Sequence, residues 1–191
     1  REPNRRAAGF LGKKRKQNDD RIILGSNNTT EWGMTYFGIL KTGATAVPID
    51  PASTVDEIIA FAKAGEAAAI VISPKLAGEN PEIAAKLDEA FATKAKSKRA
   101  PNAPVVWTFD EVFEIQTETE EAKRNALLPE KIHSTSGASL IFTSGTTGTP
   151  KAVMLSHKNF VNMISMLSSV LDMDITDGVL SVLPMHHTFE F

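Results

Sequence analysis

The stretch 139-SLIFTSGTTGTPK-151 changes character at Phe142. A short apolar run, 139-SLIF-142, stops at a segment of hydroxyl residues, two glycines, one proline and one lysine. The run reads as a buried strand. The segment after it has what a phosphate-holding loop requires. Small residues and glycine let backbone N–H groups converge on an anion, hydroxyls add further donors, and a cation balances charge. A polar loop following a strand also lies where ligands bind in open α/β sheets. An ordinary flexible turn is the competing reading of the same composition. Gly145 and Gly148 are three apart and Lys151 follows a proline, so the loop matches neither G-x-x-x-x-G-K-[ST] nor G-x-G-x-x-G. A P-loop nucleotidase and a dinucleotide-binding turn both lose support.

Outward from the loop, strands alternate with helices. Toward the N-terminus, 21-RIIL-24, 44-ATAVPID-50, 67-AAAIVIS-73 and 105-VVWTF-109 read as strands. Between them, a helix is predicted over Thr30–Lys41, capped by Asn28 or Thr29 and stopped at Gly43, with Trp32, Phe37 and Leu40 as its core face. Thr54 and Glu57 form a capping box opening a helix that carries Ile58, Ile59, Phe61 and Ala62 and ends at Gly65. Another helix spans about Pro81–Lys96, with Ile83, Leu87, Ala90 and Phe91 on one face. Residues 94–104 read as a polar loop, and 110–138 are ambiguous apart from a short helix near Glu111–Ile115. Beyond the loop, Ser156 caps a helix whose Phe160, Met163, Ile164, Leu167, Val170 and Leu171 form a core stripe. Then 178-GVLSVLP-184 is a buried strand delivering the loop 185-MHHTFEF-191. The pattern is that of an α/β fold with a mostly parallel sheet and flanking helices.

Bulk properties exclude several classes. With 191 residues, 42% apolar and 23% charged, the chain is ordinary globular material able to bury a core. A net charge of −2 points to no nucleic acid and no anionic membrane, and the basic run 13-KKRK-16 is followed at once by 19-DD-20. There are no cysteines, hence no disulfide framework or thiolate metal site, which fits a reducing compartment. No apolar run is long enough for a transmembrane segment. The first residue is not Met, and the last follows a strand-like run, so the expectation is a piece of a longer protein.

The segment 142-FTSGTTGTPKAVMLSH-157 resembles the phosphate-loop signature of the adenylate-forming superfamily, with Ala152 where many members have glycine. Three other segments resemble that family in order and spacing: 20-DRIILGSNNTTEW-32, 31-EWGMTYFGILKTGATAVPIDP-51 and 183-LPMHHTFEF-191. In the last, His187 takes the family's histidine position, His186 replaces an aromatic and Glu190 replaces a small residue. The resemblance runs from about Asp20 to Phe191, with residues 1–19 a poorly matched lead-in. It implies that residues 1–191 are part of the large N-terminal domain of an adenylate-forming enzyme, without its small C-terminal domain.

The implied chemistry joins a carboxylate to ATP, releases pyrophosphate, and passes the acyl group to a thiol, coenzyme A or a carrier-protein pantetheine. The implied substrate is a fatty acid, and the implied location cytoplasmic, including the periphery of a membrane. Thr143, Ser144, Gly145, Thr146, Thr147, Gly148, Thr149 and Lys151 would wrap the phosphates, with Mg²⁺ held mainly through ATP rather than by a protein metal site. Lys151 and His187 would be the catalytic residues, His187 lying near the substrate carboxylate. A histidine satisfying a buried backbone group is the plainer reading of either ring, and His186 is read that way. Later family motifs that hold Mg²⁺ and ribose are not found here, so the chain alone is expected to adenylate little or nothing. A non-catalytic module that binds a nucleotide or a protein partner is the alternative.

Overall fold

The computed structural model describes residues 20–92, 103–113, 131–143, 151–172, 174, 176–178, 180 and 182–187. Five parallel strands and one antiparallel strand make a single sheet. In chain order the elements are β1 (Arg21–Gly25), α1 (Thr30–Lys41), β2 (Thr45–Ile49), α2 (Val55–Ala64), β3 (Ala67–Ile72), α3 (Pro74–Glu79), α4 (Ile83–Ala92), β4 (Val105–Thr108), α5 (Phe109–Phe113), β5 (Gly137–Thr143), β6 (Lys151–Ser156) and α6 (His157–Ser168). The sheet order is β4-β3-β1-β2-β5-β6, with β5 and β6 forming the antiparallel ribbon. The expected α/β architecture is what forms.

The handedness of the connections sorts the helices onto two faces. The chain moves from β1 to β2 in one direction, then back past β1 to β3, then on to β4. Right-handed crossovers therefore put α1 on one face and α2, α3 and α4 on the other. The strands alternate to match. Ile23, Val47, Ile49, Ile70 and Ile72 pack with Val55, Ile58, Leu76, Leu87 and Phe91. Ile22, Leu24, Ala46, Ala69 and Val71 pack with Trp32, Tyr36, Ile39 and Phe109. Both faces of β1, β2 and β3 are covered, which explains their nearly unbroken apolar sequences.

Local chemistry sets the ends. Thr29 caps α1, accepting from the Trp32 N–H at 3.2 Å. After α1, Gly43 adopts φ 76°, the left-handed conformation that glycine takes without strain. The Thr54–Glu57 capping box is complete in both directions. At the end of α2, Gly65 is the cap, and the left-handed position falls one residue later, on Glu66 at φ 50°. A Cβ on Gly65 would sit 2.9 Å from the Phe61 carbonyl oxygen, so close backbone approach explains this glycine.

Several expectations need correction. Phe37 is 58% exposed: the buried face of α1 runs through Trp32, Tyr36 and Ile39 at i, i+4 and i+7, and a fifth-residue step leaves that face. Ser73 and Pro74 open a helix, α3, that was not expected; serine accepts from Leu76 N–H and proline fits the first helical turn. Lys151–Ser156, unassigned from the sequence, is a strand, β6. Ser156 caps α6 as expected, but no residue of α6 is buried, and Ile164, Leu167, Val170 and Leu171 are exposed. Its stripe is apolar with no described element covering it. Of the predicted buried strand at 178–184, the described residues Gly178, Leu180, Val182, Leu183 and Pro184 lie outside the sheet, and Leu180 and Val182 are exposed. An apolar run becomes a strand only with a ladder partner, and the edge of β6 supplies none to it. The basic run at 13–16, residues 94–102 of the polar loop, Glu114 and Ile115 of the short helix, and Glu190 lie outside the described residues.

Candidate active site

The carboxyl ends of β1, β2 and β5 meet on one edge of the sheet, and two cavities open there. The connections leaving β1 and β2 run to opposite faces, which makes a crevice between these strands, the usual ligand position in such sheets. Ser26, Asn27 and Asn28 after β1, and Asp50 and Pro51 after β2, line a cavity of about 400 Å³ in this crevice. A second cavity, about 480 Å³, lies between the ends of β2 and β5. Its apolar floor includes Phe61 and Phe142, stacked at 4.8 Å between ring centroids. Asp50, His186 and His187 line both cavities and form the wall between them.

Thr143, the last residue of β5, also lines the second cavity. It stands in register with Lys151 across the ribbon, and its hydroxyl donates to the Lys151 carbonyl at 3.4 Å. Cross-strand partners project to one side of a ribbon, so Thr143 and Lys151 flank the mouth of the connection together. Lys151 is exposed and does not line the cavity. Ser144, Gly145, Thr146, Thr147, Gly148 and Thr149 lie outside the described residues. The structure thus brings Thr143 and His187 to one cavity and sets Lys151 at its rim.

The base of this connection fits a polyphosphate. It sits at the carboxyl end of a parallel strand, beside an open cavity, between a hydroxyl and an ammonium group. The negative group at the cavity, Asp50, has its Oδ2 3.8 Å from His186 Nε2. Burial holds the His186 imidazole below its ordinary value, while Asp50 raises it and His187 lowers it. The two imidazole rings are 5.0 Å apart. Among the described residues no cluster of three or more His, Cys, Asp or Glu could hold a metal ion.

Two contributors escaped the sequence reading. Asp50 stands out only as the end of a predicted strand, and Asn28 only as a possible cap. Asn28 donates from Nδ2 to the Leu183 carbonyl at 2.7 Å, and its Oδ1 accepts from the Met185 N–H at 2.8 Å. No local signal shows this, because the partners lie more than 150 residues away.

Comparison with known proteins finds relatives among ligases. A chloroplastic long-chain-fatty-acid–[acyl-carrier-protein] ligase of Arabidopsis thaliana is 30% identical over 192 aligned residues, covering 90% of this chain and 25% of that protein. A long-chain-fatty-acid–CoA ligase of Mycobacterium bovis is 31% identical over 158 residues, covering 78% and 24%. The chain spans about a quarter of the length of these curated relatives. Among solved structures, ATP-bound MatB from Rhodopseudomonas palustris superposes with a TM-score of 0.70 at 23% identity, covering 98% of this chain and 35% of that one. A nonribosomal peptide synthetase bound to AMPPNP gives 0.72 at 20% identity, covering 97% and 17%. These two share the fold. No helix among the described residues is long and apolar enough to cross a membrane. The model of the AMP-binding enzyme family matches residues 1–191, and the chain belongs to that family.

Proposed function

We propose that the chain supplies the triphosphate-holding part of an ATP-dependent ligase that activates a fatty acid as an acyl-adenylate and passes the acyl group to a thiol. One observation carries the reading: Thr143, paired across the ribbon with Lys151, and His187 line one cavity on the carboxyl edge of a parallel sheet. The first step must bring two anions together, so positioning and charge stabilisation dominate it. The backbone and hydroxyls of residues 143–149 would hold the β- and γ-phosphates, and Lys151 would offset charge on the departing pyrophosphate. Mg²⁺, bound through phosphate oxygens, would neutralise the rest. His187 would orient the carboxylate from the opposite wall of the cavity. Coenzyme A or a carrier-protein pantetheine is the acceptor in this reading, and the fatty-acid ligases among the relatives support the substrate class. A cytoplasmic location, free or peripheral to a membrane, belongs to the same reading.

Nucleotide binding is testable on the chain itself. Titration with Mg·ATP, followed by amide NMR, should shift Thr143, Lys151 and His187 and leave Val105, on the far edge of the sheet, in place. Shifts confined to other regions, or none, would remove the triphosphate assignment. In isolation the 191 residues should give little or no carboxylate-dependent pyrophosphate exchange; robust turnover would contradict the reading of the chain as one part of the site.

A further inference from the structure

The segment 183–187 carries both histidines, yet it has neither a sheet ladder nor a helix to hold it. Leu183 and Pro184 are exposed, and Met185 is only partly buried against the α1 face of the core. The Asn28 side chain tethers the segment's backbone to the crevice. The carboxamide bonds both ways, to the Leu183 carbonyl at 2.7 Å and from the Met185 N–H at 2.8 Å. It therefore stands in for a peptide group of a neighbouring strand, with one donor and one acceptor at fixed separation. Asn28 is free for this because Thr29, not Asn28, caps α1. Two residues further on, the His187 N–H bonds the Pro184 carbonyl at 2.9 Å, closing a turn that sets the two rings side by side. The same turn brings His186 to Asp50, with the His186 side chain only 14% exposed.

We propose that Asn28 is a positioning residue for the carboxylate half of the site: it clasps the 183–187 segment to the connection between β1 and α1 and so holds His186 against Asp50 and His187 at the cavity wall. This rests on the ligase reading above. Asn is the residue the geometry asks for. Asp would keep the acceptor for Met185 but turn a carboxylate toward the Leu183 carbonyl, and Ala would lose both bonds.

The test separates the clasp from the reaction. In the 191-residue chain, Asn28→Ala, which loses both bonds, should speed exchange of the Met185 amide about tenfold, and Asn28→Asp, which keeps the Met185 acceptor but sets a carboxylate against the Leu183 carbonyl, should speed it less. The His186 ring should return toward ordinary imidazole titration as it leaves Asp50 and the cavity wall. Asn28 is exposed, so the thermal midpoint should stay within a few degrees and show that the core is intact. In the full-length protein, the KM for decanoate should rise about tenfold while the KM for ATP changes less than about twofold. Unchanged Met185 exchange and His186 titration would overturn the clasp. A released segment with an unchanged decanoate KM would overturn its positioning role. If wild type releases no pyrophosphate with any carboxylate, the ligase reading and the positioning role for it fail together, and the clasp is judged on exchange and titration alone.

Discussion

In the role proposed for it, Lys151 would matter to chemistry and little to stability. It is exposed at the first position of β6, and its described cross-strand bond uses the backbone carbonyl, which any residue supplies. In the full-length protein Lys151→Ala should therefore slow adenylate formation about 10²-fold, the usual cost of removing one charge-stabilising donor, with an unchanged melting temperature. Pre-steady-state pyrophosphate release beside a thermal melt measures both; equal rates would sink the assigned role. The histidines set a second residue-scale expectation. Burial holds both His157 and His186 below the ordinary imidazole value of 6.5. His157 Nε2 is buried without a hydrogen-bond partner among the described residues, so protonation there meets no compensation. A base with a depressed folded pKa binds fewer protons folded than unfolded. Its stabilisation is complete above pH 6.5 and is lost as pH falls from 6.5 through the folded value. Thermal midpoints should drop below about pH 6.5, and His157→Gln should flatten part of that drop. A midpoint that rises on acidification through this window would contradict the burial seen for both rings. Thr143, Lys151 and His187 were legible because they lie in contiguous motifs. Asp50 and Asn28 were not, since each acts on a partner more than 130 residues away.

The elements best read from sequence are those whose ends carry their own chemistry. Thr54 and Glu57 announce α2, and the structure closes the box: the Thr54 N–H donates to Glu57 Oε2 at 2.8 Å, and the Glu57 N–H to Thr54 Oγ1 at 3.3 Å. Thr54→Ala should cost about 1 kcal/mol by urea denaturation, with an unchanged m-value. A loss below about 0.3 kcal/mol would mean that α2 is held by Ile58 and Ala62 packing alone. The same reasoning shows what was overlooked. Thr108 and Glu111 form an equivalent pair at α5, and Ser73-Pro74 marks α3. A short helix near Glu111 was expected without its Thr108 cap, and α3 was not expected at all, since no apolar period can develop in so short a helix. The failures at 178–184 and in α6 have another origin. Hydrophobic pattern reports which face seeks cover, and whether cover exists is a property of the tertiary structure.

For the molecule as a whole, that difference divides the chain into two regimes. β1, β2 and β3 are packed on both faces by right-handed crossovers, and Ile23, Leu24, Val47, Ile70 and Val71 have no exposed surface. The C-terminal part is built differently. β6 pairs with β5 along one edge, but Val153 and Met154 on it are about half exposed, and α6 rests chiefly on β6 with no buried residue. Backbone bonds and the Ser156–Asn159 capping box shape this unit, while apolar burial, the main source of stability, is almost absent. Opening it exposes little new apolar surface and should cost only a small part of the global unfolding free energy. In the 191-residue chain, hydrogen exchange should therefore find α6 amides at least about 10³-fold less protected than those of Ile23 and Val47. The proposed site spans the boundary, since Thr143 ends a packed strand while Lys151 begins the weakly held one. Saturating Mg·ATP should then slow exchange in β6 more than in β1 if the connection between them closes on phosphate. Uniform protection from β1 to α6, or ligand protection confined to the core strands, would show that the two regimes fold as one and that the ribbon takes no part in holding the nucleotide.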